Sequence, residues 1–269
     1  MSPDLCFKQL YKPIKKLGEG GYGCVYLCHR LSDLTQFAAK VIPDSKCRHK
    51  TYCSEGDMLV PNEVILWEPL DHPNIIALHE VFFENGNWIL VMDYCPGFVD
   101  LFSYSDQHGV LPPSDAAHII KQVVQTCCYL VTAGVDHRDI KDENILYNPF
   151  TKQIKLIDFG SASPLSDLPY TSMQGTDVYV PPEFYTKHSY HALPAAVWAI
   201  GCLSYILLNG DCPFNTINDV IEHKVLSWRN PHLGFSERNF TEACLTVDAG
   251  SRMSFEDLLD HPLFLRSAI

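Results

Sequence analysis

The stretch "VDHRDIKDENILY", Val135 to Tyr147, decides how the rest of the chain is read. Acids, bases and a histidine crowd into it, from Asp136 through Glu143, and apolar residues close both ends. The chain as a whole is 46% hydrophobic and 19% charged, so the crowding needs a reason. A solvated surface loop is one. The other is a loop that holds a phosphate, a metal and a proton acceptor together, since that task needs charged groups and hard oxygen donors within reach of one another.

What lies to either side supports the second reading. Gly18, Gly20 and Gly23 with Val25 spell G-x-G-x-x-G-x-V, which alone is also compatible with a plain glycine-rich hairpin. A dinucleotide fingerprint would open a helix here, whereas "CVYLCHR" continues as a strand, which favours a hairpin folded over phosphates. Lys40 follows Gly23 by seventeen residues and ends the apolar strand "FAAK". A lysine so placed usually snorkels to solvent. In this order it can instead reach phosphates, with Glu63 on a predicted helix as its ion-pair partner. Within the opening stretch, His137, Arg138, Asp139, Lys141 and Asn144 give H-R-D-x-K-x-x-N. Asp158-Phe159-Gly160 comes fourteen residues after Asn144, behind "IKLI", and Pro181-Pro182-Glu183 follows.

This ordered set resembles the protein kinase family, and the resemblance covers essentially the whole chain. It implies an α+β bilobal fold: a small β-rich N-lobe over about residues 1–93, a hinge at about 94–98 and a larger helical C-lobe over about 99–269. It implies ATP and Mg²⁺ as cofactors. Asp158 would hold the Mg²⁺ that bridges the β- and γ-phosphates, and Asn144 a second one. Asp139 would orient the substrate hydroxyl and accept its proton, Lys141 would neutralise the moving phosphoryl group, and Lys40 would contact the α- and β-phosphates. Leu17, Gly18, Gly20, Gly23, Val25, Ala38, Lys40, Glu63, Met92, Asp93, Cys95 and Asp100 would line the nucleotide. Glu183 and Arg252 would form a buried structural pair. Lys141, together with Gly175-Thr176, implies serine/threonine rather than tyrosine specificity.

Several local stretches resemble the Pim family in particular: "HRDIKDENIL", "KLIDFGSA", "GTDVYVPPE", "AAVWAIG" and "GDCPF". Most kinases place an Asp two residues before the Trp of the long C-lobe helix; here Ala196 precedes Trp198, as in Pim kinases. The hinge, from the gatekeeper Met92 to Asp100, is lengthened and followed by "LF". The resemblance implies a cytoplasmic or nuclear enzyme of survival and growth signalling that favours arginine-rich substrates. Asp100, Asp142 and Glu143 would line the groove for basic side chains, or else form an ordinary solvated acidic rim. Pim kinases carry a proline at the hinge's donor position. Here it sits one place later, at Pro96, so Asp93 offers a carbonyl and Cys95 keeps an N–H for an adenine. Arg138 normally needs an anion from the activation loop. Phosphorylated Ser172, Asp167 reaching across, or no partner at all are the alternatives.

Bulk properties narrow the partners. A net charge of −12 argues against nucleic acid and anionic membranes and leaves basic peptides or proteins. A monomer is expected. Eleven cysteines, an odd number without a CxxC pair, suggest reduced thiols and neither a disulfide framework nor zinc. No apolar signal core opens the chain. The uncharged run Ala192 to Gly210 reads as a buried helix rather than a membrane span, and the Asn239-Phe240-Thr241 sequon as unused. A rival class is a pseudokinase, a scaffold that keeps the fold without turnover. The presence of Lys40, Asp139, Asn144 and Asp158 favours the enzyme. A small-molecule kinase is disfavoured by the Pro-Pro-Glu segment.

Element signals are clearest at Asn85-Gly86, a hairpin turn, and at Pro61, the start of a helix through Leu70. A long helix is expected over "PSDAAHIIKQVVQTCCYLVTAG", with Ser114 as N-cap and Gly134 as its stop. "INDVIEHKVLSW" and "SFEDLLDHPLF" also read as helical.

Overall fold

Alternating apolar residues in the first ninety positions build an antiparallel sheet. The structure, a computed structural model, describes residues 6–20, 23–47, 49–52, 58–173, 179–222 and 226–265. The chain divides into two units, Met1–Pro96 and Gly97–Ile269.

The first unit begins with a short helix, α1 (Phe7–Leu10), and continues through β1 (Tyr11–Glu19), β2 (Cys24–Arg30), β3 (Gln36–Pro43), β4 (Lys50–Tyr52) and β5 (Leu59–Pro61). Then come α2 (Asn62–Trp67), β6 (Leu78–Glu84) and β7 (Asn87–Asp93). Five strands form one sheet in the order β1-β2-β3-β7-β6, while β4 and β5 pair separately. The β6–β7 turn is the expected one: Asn85 and Gly86 hold φ of 50° and 71°, the left-handed pair a type I′ turn requires. β3 runs three residues past Lys40 to Pro43, so the lysine lies inside the strand rather than at its end. α2 stops at Trp67, short of Leu70, because Pro69 cannot continue a helix.

Register sorts this sheet into two faces. One carries Cys28, Phe37, Ala39, Phe82, Ile89 and Val91, packed against Phe7 and Tyr11. The Phe7 and Tyr11 rings stack at 5.4 Å, and the Tyr11 hydroxyl donates to Glu80 at 2.8 Å. The opposite face carries Val25, Lys40 and Leu90 in one row and Leu27, Ala38 and Met92 in the next.

Pro96 and Gly97, the last residue of the first unit and the first of the second, make a turn with Gly97 at φ 81°, where the strand pattern was expected to break. β8 (Val99–Asp100), α3 (Leu101–His108) and α4 (Pro113–Thr132) follow, then β9 (Val135–Asp136), β10 (Ile145–Tyr147), β11 (Ile154–Leu156) and β12 (Ser163–Pro164). The rest is helical: α5 (Pro182–Lys187), α6 (Ala192–Asn209), α7 (Ile217–Ile221), α8 (Phe235–Cys244) and α9 (Pro262–Leu265). α4 opens with Pro113 at its first position, so Ser114 sits inside the first turn and is not the cap. Proline's fixed φ is already helical there, and the N–H it lacks would have had no partner. Gly134, at φ 71°, lies just past the helix end as predicted. α6 is the uncharged run, 72% buried, with Trp198, Leu203 and Leu207 fully enclosed. Gly201 lets α8 approach: a Cβ there would sit 2.8 Å from Cys244 Cβ. Two helical expectations shrink. α7 covers one turn, with residues 223–225 outside the described set, and 255–260 form turns before α9. α8 was not expected, because Ser236, Glu237, Arg238 and Asn239 dilute its apolar period.

Arg252 ties this unit together. Its fork meets Glu183 of α5 at 3.0 and 2.8 Å. The remaining N–H groups reach the carbonyls of Pro194, Thr246 and Val247. Its plane lies 5.0 Å over the Trp198 ring. All five guanidinium donors are thereby used, which is the condition under which a buried charge is tolerated. Arg252→Met should lower unfolding free energy by about 3–5 kcal/mol, since Glu183 is left buried and unpaired. Arg252→Lys should recover little of this, because an ammonium lacks the planar fork. Urea midpoints at constant m-value measure both; an unchanged midpoint would remove the pair from any account of stability.

Candidate active site

The predicted site residues fall into two groups, one in each unit. In the first unit, the register between β1, β2 and β3 sets Gly18 opposite Val25 and Val25 opposite Lys40. Ala38 and Met92 are paired one row along, on the same face. Leu17 lies in the β1 irregularity and is 41% exposed. Gly20 and Gly23 close the hairpin through reciprocal backbone bonds of 2.9 and 3.3 Å, around residues 21 and 22, which lie outside the described set. Gly23 is required by packing, since a Cβ would fall 2.0 Å from the Val41 carbonyl oxygen. At Gly18 and Gly20 a Cβ would meet nothing within 4 Å, so the chain's own packing does not demand glycine there.

Lys40 does not snorkel. Its ammonium is 3.1 Å from Glu63 Oε2, with both side chains about nine-tenths buried. α2 delivers Glu63 from its first turn, where the helix dipole favours an acid. Asp93 ends β7, its carboxylate 2.6 Å from His79 Nε2, a contact the sequence did not signal. Cys95 follows half-buried.

In the second unit, the catalytic-loop residues converge. The Asn144 side-chain amide donates to both the carbonyl and Oδ2 of Asp139, each at 2.8 Å. Its Oδ1, the hard donor, is thereby turned away from Asp139. Lys141 Nζ is 3.1 Å from Asp139 Oδ2 and 3.1 Å from Glu143 Oε2. Burial works against the Lys141 ammonium, but Asp139 and then Glu143 outweigh it and its pKa is raised. Asp158 holds φ of 64°, rare for a residue with a Cβ, and its Oδ1 accepts the Gly160 N–H at 3.1 Å. His137 is fully enclosed, edge-on to Phe159 at 5.0 Å, and its Nε2 donates to the Ile157 carbonyl at 3.2 Å. Burial lowers its pKa, so it is neutral and acts as a strut.

The acidic positions have separate tasks. Asp100 caps α3, accepting the Ser103 N–H at 2.7 Å. Asp142 is 5% exposed and accepts from the Tyr179 hydroxyl at 3.0 Å. Burial raises its pKa, and the Tyr179 bond opposes the rise. Glu143 is half-exposed beside Lys141. Asp142 and Glu143 line a groove of about 350 Å³ together with Asp106, Asp211 and the apolar Phe102 and Ile206. Asp106 and Asp211 were not singled out in the sequence. The fold alone brings α3 and the end of α6 beside the loop.

Arg138 is not without partners. Its guanidinium donates to the Ser172 carbonyl at 2.7 Å and to the Tyr190 hydroxyl at 2.8 Å, and lies 4.3 Å over the Tyr170 ring. These partners are neutral, and Asp167 is not among them. Gly175 and Thr176 lie outside the described residues.

The donor set suits Mg²⁺. Among the described residues no three His, Cys, Asp or Glu side chains gather as an all-protein cage. Mg²⁺ does not need one, since a carboxylate, an amide oxygen, substrate phosphates and water complete its shell.

Comparisons with known proteins agree with this geometry. Residues 11–264 match the family model described as protein kinase domain. The chain is 36% identical to the serine/threonine-protein kinase pim-2 of Danio rerio, over 98% of this chain and 87% of that protein. It is 32% identical to the serine/threonine-protein kinase prk-2 of Caenorhabditis elegans, over 95% of this chain and 58% of that protein. The serine/threonine-protein kinase PLK4 of Drosophila grimshawi is 33% identical over 93% of this chain and 33% of its own length. A buried lysine–glutamate pair, an aspartate held by lysine and asparagine, and a family match over residues 11–264 lead to one conclusion: the chain belongs to the protein kinase family, as a Pim-like serine/threonine protein kinase.

Proposed function

We propose that the chain transfers the γ-phosphoryl group of Mg-ATP to serine or threonine in basic, arginine-rich peptide segments. The observation that carries this reading is the Asp139–Asn144–Lys141 arrangement: one carboxylate oxygen held by an amide N–H at 2.8 Å and an ammonium at 3.1 Å. A carboxylate so held is aimed before substrate arrives, which is how phosphoryl-transfer enzymes lower their barrier. Asp139 orients the hydroxyl and takes its proton. Lys141, kept charged by Asp139 and Glu143, offsets charge on the moving group. Asn144 Oδ1 and the Asp158 carboxylate are the hard donors for Mg²⁺, which when bound neutralises phosphate charge. Lys40, fixed by Glu63, serves the α- and β-phosphates. Gly18 and Gly20, which no packing requires, leave room for backbone to approach phosphates.

Basic-substrate preference is supported by the groove lined by Asp106, Asp142, Glu143 and Asp211. Asp106 is exposed, and Asp211 has a rim partner in Arg229 at 3.1 Å, so these two can turn to an incoming guanidinium at little desolvation cost. Asp142 is committed to Tyr179 and contributes field rather than direct contact. The likeness to Pim kinases supports a monomeric enzyme of survival and growth signalling in the cytoplasm or nucleus.

Asp139→Asn or Lys40→Met should each lower kcat by roughly two orders of magnitude or more in protein that still folds, although Lys40→Met also leaves Glu63 buried and unpaired and should lower Tm. Turnover like wild type in either variant removes the assigned role. With a serine peptide carrying upstream arginines, Asp106→Asn and Asp211→Asn should each raise KM severalfold, about 1 kcal/mol or less per rim charge. Peptides with alanine in place of those arginines should already bind weakly and respond to neither substitution. Equal KM values across the series would refute the groove's role. Adenine-like inhibitors that need two hinge bonds should lose up to about tenfold in affinity on Cys95→Pro, which removes one N–H. Unchanged affinity in the folded variant would show that this N–H is not used.

A further inference from the structure

Asp136 belongs to none of the motifs that identify the family, yet it stands beside their centre. It is the last residue of β9, paired with Ser163 of β12. Its Oδ1 accepts the backbone N–H of Arg138 at 3.2 Å. Arg138 holds φ of 63°, a left-handed conformation that residues with a Cβ rarely adopt, and Asp139 follows it directly.

The carboxylate is held at a cost. Burial pushes the Asp136 pKa up to about 6, and the nearby Arg138 charge, the Arg138 N–H and Tyr170 oppose the rise only in part. An apolar side chain would escape this cost, so an acid there needs a compensating role. A cavity of about 40 Å³ lies beside Asp136, with Tyr179 and Tyr190 among its lining. Asp136, Arg138 and Asp139 line it, and the α6 residues that also line it are Ala192, Ala195, Ala196 and Ala199. Those four side chains offer no hydrogen-bond acceptor.

We propose that Asp136 is a positioning residue for phosphoryl transfer: by accepting the Arg138 N–H it fixes the left-handed turn that aims Asp139, and it supplies from β9 the acceptor that the alanine-lined face of α6 lacks. This rests on Asp139 acting as the base. The nucleotide-contacting residues of the first unit are untouched by it, so the effect falls on kcat rather than on KM for ATP.

The test uses Asp136→Ala, Asp136→Asn and the double variant Asp136→Ala/Ala196→Asp in the full chain. Turnover with Mg-ATP and a basic serine peptide is measured beside Tm and amide hydrogen exchange at Arg138. Asp136→Ala should lower kcat about tenfold or more, leave KM for ATP within about twofold, and deprotect the Arg138 amide. Asp136→Asn keeps an acceptor oxygen and should hold both kcat and protection near wild type. In the double variant a carboxylate enters the same cavity from α6 and should restore both in part. Should Asp136→Ala not fold, Asp136→Leu fills the space without an acceptor and takes its place. The proposal is overturned if the acceptor-free variant keeps kcat and protection, if Asp136→Asn is as impaired as that variant, or if Ala196→Asp restores nothing. Asp139→Asn is the control for the base itself: full turnover there overturns that reading, while Arg138 exchange still decides whether Asp136 holds the turn.

Discussion

The larger unit depends on one buried cation. Arg252 is placed where water cannot solvate it, so each of its five N–H groups must find an oxygen. The two carboxylate oxygens of Glu183 and three backbone carbonyls meet that demand. These oxygens come from α5, from the first turn of α6 and from the segment after α8. Satisfying one guanidinium therefore fixes three separate parts of the chain against each other. The Trp198 ring beneath it, stacked in turn on Phe214 at 5.5 Å, extends the constraint into the core of α6.

That rigid frame allows strain nearby. Arg138 and Asp158 both hold left-handed backbone without being glycine. Such residues persist where their surroundings over-determine them, and they gather at functional sites. Around Arg138 the surroundings are the Asp136 carboxylate, the Tyr190 hydroxyl, the Ser172 carbonyl and the Tyr170 ring. Among the described residues, the groups that touch its guanidinium are uncharged. The segment carrying Tyr170 and Ser172 meets the catalytic loop, among the described residues, through a phenol ring and a carbonyl on the Arg138 cation.

Charge is used in two distinct ways within the same short loop. Asp139 and Lys141 are close and mutually stabilised, which keeps the lysine protonated despite its partial burial. Asp136 and Asp142 are acids whose pKa burial raises, each held by a hydrogen bond: the Arg138 N–H for one, the Tyr179 hydroxyl for the other. In the first kind, one charge is offset by another. In the second, a buried acid is offset by a hydrogen-bond donor, a backbone N–H or a phenol. Sequence spacing does not separate them, because both are simply aspartates in one run.

Sequence alone was sufficient wherever the deciding physics is local or the motif is ordered along the chain. Asn85-Gly86 must take positive φ and so makes the hairpin. Period-two and helical patterns fixed the sheet and α4, and Gly134 ended that helix. The ordered glycines, Lys40, the loop from His137 to Asn144 and Asp158 pointed to a kinase. Tertiary structure decided what depends on residues far apart. Ser114 looked like a cap until Pro113 took the first helical position. α8 was hidden because its polar residues mask a face that only packing against Gly201 reveals. Asp106 and Asp211 joined Asp142 and Glu143 only once α3 and the end of α6 were brought to the loop. Whether Arg138 meets a phosphorylated Ser172, Asp167 or no partner was open in the sequence. Tyr170 and Tyr190 meet Arg138 from positions about thirty and fifty residues away, which the sequence did not signal, since a hydrogen bond requires proximity in space and one-dimensional spacing does not encode it.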